Sequence, residues 1–91
     1  LSGPWPNPSS RAARVGYAAP QGAARKPLSV AVYNAAGRLV KTLHSGPPER
    51  AAGVLVWDGT DEWGEAAASG VYFVRATLGE ESVARKLVVL R

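Results

Sequence analysis

Apolar and polar residues alternate at a period of two in several short stretches of this chain, and that period is the signature of β-strands. Leu28, Val30 and Val32 alternate with Ser29, Ala31 and Tyr33, and Tyr72, Val74 and Ala76 oppose Val71 and Phe73. Leu55 and Trp57 share a face, with Trp57 the candidate core centre, and Val15 and Tyr17 oppose Arg14 and Gly16. Successive side chains of a strand leave opposite sides of the pleat, so each stretch offers one face to a core and the other to solvent. A helical period of useful length is absent, although the alanine-rich residues 12–25 leave a short helix as a competing reading there.

Glycine, proline, asparagine and aspartate separate the stretches. Asn34-Ala35-Ala36-Gly37 predicts a hairpin turn between strands over 28–33 and 38–43, with Gly37 free to take a positive φ. Residues 44–52 carry Ser45, Gly46, Pro47 and Pro48 and read as a loop between sheets. A strand over 54–58 ends in the turn Asp58-Gly59-Thr60-Asp61-Glu62-Trp63-Gly64-Glu65, and strands over 70–78 and 82–90 flank a tight turn at Gly79-Glu80-Glu81. Residues 11–19 form a weaker first strand, broken by Pro20 to Ala23. The expected fold class is all-β, an immunoglobulin-like antiparallel β-sandwich of about six to seven strands in Greek-key order. Residues 1–10, with Pro4, Pro6 and Pro8, read as a proline-rich linker or N-terminal arm whose Trp5 anchors it on the sandwich, and residues 11–91 as the domain.

A chain of 91 residues buries about 60–65% of its unfolded surface, enough for one thin core. It has no cysteine, so neither disulfide nor thiolate chemistry is available and packing must hold the fold. The net charge of +4 favours anionic surfaces weakly, but the basic residues never run longer than two, which argues against a nucleic-acid partner. No apolar run is long enough to span a membrane. The start at Leu1 rather than methionine suggests a piece of something longer, and Arg91 directly after an apolar strand is expected to be its C-terminus.

The residues offer little chemistry. His44 is the one histidine, and its neighbour Ser45 does not make a nucleophile–base pair by adjacency alone, so no catalytic residue is assigned and no enzyme is expected. Asp58, Asp61, Glu62 and Glu65 supply hard oxygens in a loop and are weak candidates for calcium, but their spacing departs from the alternating ligand pattern of an EF-hand. A turn stabilised by its own aspartates is the reading this spacing favours, and no cofactor is assigned. Trp63, with Trp5 and Tyr33, is a candidate for stacking on sugar rings, which keeps a carbohydrate-binding module as a minor reading.

Three segments taken together resemble a known family. Leu28 to Leu43, then Trp57-Asp58-Gly59-Thr60-Asp61-Glu62-Trp63-Gly64, then Ser69-Gly70-Val71-Tyr72-Phe73 are similar to the Ig-like domain of the flagellar hook-capping protein. They resemble more closely the related C-terminal domains that serve secreted bacterial proteins as type IX secretion sorting signals. Pro6-Asn7-Pro8 matches the proline-asparagine-proline opening of such domains, Gly70-Val71-Tyr72 their G-x-Y motif, and Lys86 with Leu90 their terminal K-x-x-x-L motif. Ala68 stands where a proline often precedes G-x-Y, and Trp5 where tyrosine is common. The resemblance implies a non-catalytic, secreted or cell-surface domain that meets secretion machinery or surface components, with Gly70, Tyr72, Lys86 and Leu90 as its motif residues. The alternative is a structural Ig-like module, or an extracellular filament subunit that associates through its edge strands.

Overall fold

The chain, described as a computed structural model over residues 1–18, 26–48 and 52–91, contains seven strands and no helix among those residues. They are β1 (Ser2–Trp5), β2 (Ala13–Ala18), β3 (Leu28–Asn34), β4 (Leu39–Gly46), β5 (Ala52–Trp57), β6 (Gly70–Leu78) and β7 (Glu81–Val89). Two antiparallel sheets result, one ordered β1-β2-β5 and the other β4-β3-β6-β7. β2 pairs with β5 and β3 with β6, so each sheet is closed by strands distant in sequence, the interlocked pattern of an immunoglobulin-like sandwich.

The period of two explains which side chains are inside. Leu28, Val30 and Val32 of β3 meet Tyr72, Val74 and Ala76 of β6 and Leu87 and Val89 of β7, and face Ala13, Val15 and Trp57 across the gap between sheets. Trp57 is the largest fully buried side chain, as its place in the sequence predicts, and its ring lies tilted on Tyr72 at a centroid distance of 5.5 Å. Each fully buried apolar side chain of this kind contributes about 1.5–3 kcal/mol. With no cysteine to assist, these side chains hold the two sheets together.

Turn chemistry fixes the register. Asn34 Oδ1 accepts the Ala36 and Arg38 N–H groups, and Gly37 takes a φ of 84°, which closes the β3–β4 hairpin as expected. The pairing then shifts between Val30 and Ala31 and between Val32 and Tyr33, two bulges that spend Leu43 and Val40. Both extra residues turn toward the core and pack against it.

The structure corrects the sequence reading in three places. Residues 1–10, expected as a linker or arm, contribute β1 to a sheet, bury Pro4 and Ser9, and place Ser9 beside Val89 in a parallel bridge. Proline denies a ladder its own N–H but is tolerated on an edge strand, and β1 is one. Residues 44–46, expected in a loop, continue β4, and Ala52 and Gly53 already belong to β5. The helix weighed for residues 12–25 is a strand over Ala13–Ala18, while the turn expected at Pro20 to Ala23 lies outside the described residues.

Trp57→Ala should cost about 3–5 kcal/mol, a large part of the stability of a domain this size. Trp57→Phe keeps most of the packing and removes the indole N–H, so its cost should stay near 1–2 kcal/mol. Urea unfolding followed by fluorescence or circular dichroism separates the two.

Candidate functional site

The four residues of the sorting-type motifs fall into two physical classes. Tyr72 is buried beneath the crossing from β5 to β6, and its hydroxyl donates to the Ala68 carbonyl at 2.6 Å. Gly70 opens β6 opposite Val89, at the point where the chain enters the four-stranded sheet. Lys86 and Leu90, by contrast, are exposed, and their spacing of four puts both on the outer side of the sheet. Leu90 leaves 56% of its surface in solvent.

Lys86 ends a row that crosses all four strands of that sheet, Leu39 beside Tyr33, Tyr33 beside Phe73, and Phe73 beside Lys86. Val71 and Val88 form the neighbouring pair on the same face. Leu39, Val71 and Phe73 all remain substantially exposed, so this face carries an apolar band bordered by two cations, Lys86 at the end of the row and Arg75 next to Phe73 along β6. Sequence reasoning assigned Lys86 and Leu90 but not the band, although Val71 and Phe73 were legible as the outward side of β6.

The backbone beneath Lys86 and Leu90 is already occupied. The Asn7 side-chain amide straddles the edge of β7, donating from Nδ2 to the Lys86 carbonyl and accepting the Val88 N–H at Oδ1, each at 3.0 Å. Ser9 extends this, its N–H donating to Val88 O and its carbonyl accepting the Leu90 N–H, both at 2.8 Å. Pro6 and Pro8 have no N–H to offer, and the asparagine side chain between them takes the place of a strand backbone. The proline-asparagine-proline segment is thus a clip on the last strand.

The acidic turn is organised by its own backbone. Asp58 Oδ1 accepts the Thr60 hydroxyl at 2.5 Å and the Thr60 N–H at 3.0 Å, while Asp61 Oδ1 accepts the Trp63 and Glu65 N–H groups at 2.9 Å. Glu62 turns away to accept the Thr42 N–H on β4 at 2.9 Å. Among the described residues no three histidine, aspartate or glutamate side chains gather as a metal site, so Asp58, Asp61 and Glu62 are not brought together as ligands. The Thr60 hydroxyl, followed by the Thr60 N–H, holds the Asp58 carboxyl below the usual aspartate range.

Arg91 is a structural residue that the sequence did not reveal. Its backbone N–H donates to Ser69 Oγ at 2.9 Å, and its guanidinium donates to the Gly59 carbonyl at 2.7 Å and to the Ala67 carbonyl. Gly59 has a φ of 81°, and a Cβ there would lie 2.5 Å from the Arg11 carbonyl oxygen. Only glycine fits between these two backbones.

The remaining candidates are dispersed. Trp63 is 84% exposed on the turn, Trp5 lies over Gly3 and Gly16 on the outer side of the three-stranded sheet, and Tyr33 is in the band on the other sheet. The three rings share no platform. His44 and Ser45 sit on successive positions of β4, so their side chains leave opposite faces, and His44 Nε2 lies 3.1 Å from the Gly46 carbonyl oxygen.

Two predictions test the turn. Gly64 has the same φ as Gly59 but open space around it, so Gly64→Ala should cost about 1 kcal/mol and Gly59→Ala distinctly more by chemical denaturation. Because the folded Asp58 value is depressed, its stabilisation is fully present above the unfolded value near 4 and fades as pH falls through the folded one. Asp58→Asn should lower the neutral plateau of a stability–pH curve and so flatten its acid limb, the two curves converging at low pH.

Comparison with known proteins fits this geometry. No curated protein is significantly similar in sequence. A solved structure, dimeric latent PorU from Porphyromonas gingivalis, matches in fold with a TM-score of 0.73 at 22% identity. The match covers 94% of this chain and 9% of that one, so the chain spans under a tenth of that protein's length. The family model of the FlgD Ig-like domain matches residues 9–82, and the chain belongs to that family.

Proposed function

We propose that this member of the FlgD Ig-like domain family is a non-catalytic sorting or cell-surface attachment domain at the C-terminal end of a larger secreted bacterial protein. The observation that carries this reading is the division of labour along the last hairpin. Gly70 and Tyr72 build the sandwich, whereas Lys86 and Leu90 project from it beside an apolar band, on a strand whose backbone is already satisfied by Asn7 and Ser9. A partner therefore reads side chains of β7 and not a free ladder edge there. The fold match to a small part of a large protein supports an appended domain rather than a self-sufficient one. The resemblance of the Pro6-Asn7-Pro8, Gly70-Val71-Tyr72 and Lys86–Leu90 motifs to type IX sorting domains supports outer-membrane export machinery as the partner class, and the cell surface or medium as the location.

Physically, the band supplies apolar area and Lys86 supplies orientation, the usual partition between a dry core and a charged rim. A structural Ig-like module is the second reading, favoured by the apolar outer residues Val54 and Val56 on the other sheet, which suit packing against a neighbour.

Fusion of residues 1–91 to a reporter carrying a signal peptide, in a host with type IX export, should bring the reporter to the surface or medium. Lys86→Ala combined with Leu90→Ser should cut export by at least about tenfold while leaving thermal stability nearly unchanged, since both are surface positions. Retention of the unaltered fusion in the periplasm would sink the sorting reading. Normal export of the double variant would move recognition away from β7.

A further inference from the structure

We infer that β5 is a homodimerisation edge, on which a second copy of this chain adds its own β5 in antiparallel register to join the two three-stranded sheets. This stands independently of the sorting reading. The four sheet margins are treated very differently. β7 is clipped by Asn7 and Ser9 over its last residues, and β4 is bulged twice and carries the Glu62 carboxylate on the Thr42 N–H. β1 contains Pro4 and pairs irregularly. These are familiar ways of blunting an edge. β5 has none of them: it ends its sheet, pairs with β2 in unbroken register, and among the described residues no group is hydrogen-bonded to its outer side.

The sequence of β5, AGVLVW, holds neither charge nor proline. Its outward residues Val54 and Val56 are each 57% exposed, and Trp5 leans over Gly16, the cross-strand neighbour of Val54. Constant-type immunoglobulin sheets carry one further strand at this margin, so the architecture has room for it. A second copy is the occupant that this strand itself matches, because an uncharged β-branched edge is complementary to its own antiparallel image. A two-fold axis through Leu55 sets Val54 opposite Val56 of the partner subunit, β-branched against β-branched, and sets Asp58 opposite the partner subunit's Ala52, so no like charges meet.

The chain has no native cysteine, which permits a clean test. Oxidising a mixture of the Val54→Cys and Val56→Cys variants should yield covalent dimer, because paired strands bring opposed residues about 4.5–5.5 Å apart. Each variant alone should yield little, and a Val71→Cys control on the other sheet should yield none above background. Sedimentation velocity of residues 1–91 should show a concentration-dependent dimer that Val56→Lys converts to monomer, the variant melting as the unaltered chain does at dilutions where that chain is itself monomeric. A monomer at every concentration without cross-linking overturns the inference. So does open polymer beyond dimer, or equal cross-linking of each variant by itself.

Discussion

The crossing from Trp57 to Gly70 is the constraint on which the sandwich rests. It carries the chain from one sheet to the other across residues with no strand of their own, and its backbone groups must still find partners. Its carbonyls are collected from three directions, with the Trp57 indole on Thr60, the Tyr72 hydroxyl on Ala68, and the Arg91 guanidinium on Gly59 and Ala67. Its N–H groups are taken by Asp58, Asp61 and, for Ala67, by Gly59 O. Lys41 Nζ then ties the same turn to β4 through Asp61 O at 3.2 Å. The two largest aromatic groups of the core thus serve twice, as apolar filling and as donors that set where β6 begins.

Much of this was legible in the sequence because it follows a period or a turn rule. Alternation gives the inward sets of β3 and β6 directly, and Gly37 and Asn34 give the first hairpin. The ends of β4 were not legible, since Ser45 and Gly46 carry turn composition yet pair with Ser29 and Leu28. Tertiary pairing there overrides local preference. The N-terminal segment was misread for a related reason: three prolines forbid a regular ladder, but they do not forbid a side chain such as Asn7 from imitating one.

The acidic turn shows how far composition alone can be pushed. Four carboxylates within eight positions look like a ligand set, and the sequence offers no way to tell whether their oxygens converge on an ion or on nearby N–H groups. The structure separates them: Asp58 and Asp61 close local turns and Glu62 blunts the edge of β4. Arg91 was invisible because its role depends on carbonyls 24 and 32 positions away. Nothing in a one-dimensional pattern reports such a contact.

These contacts bear on how a sorting signal of this kind would be read. A lysine and a leucine four residues apart occur by chance in many strands, and an unfolded chain presents them in countless geometries. Here they share one face only because β7 is pinned at its outer edge by Asn7 and Ser9 and at its end by Arg91. Those partners lie in the first ten residues and in the β5–β6 crossing, so the display of Lys86 and Leu90 requires the sandwich to be closed from both ends. Under the proposed role, a receptor for this face recognises the completed fold, and an unfolded or truncated domain fails to present the signal even though its short motif is intact.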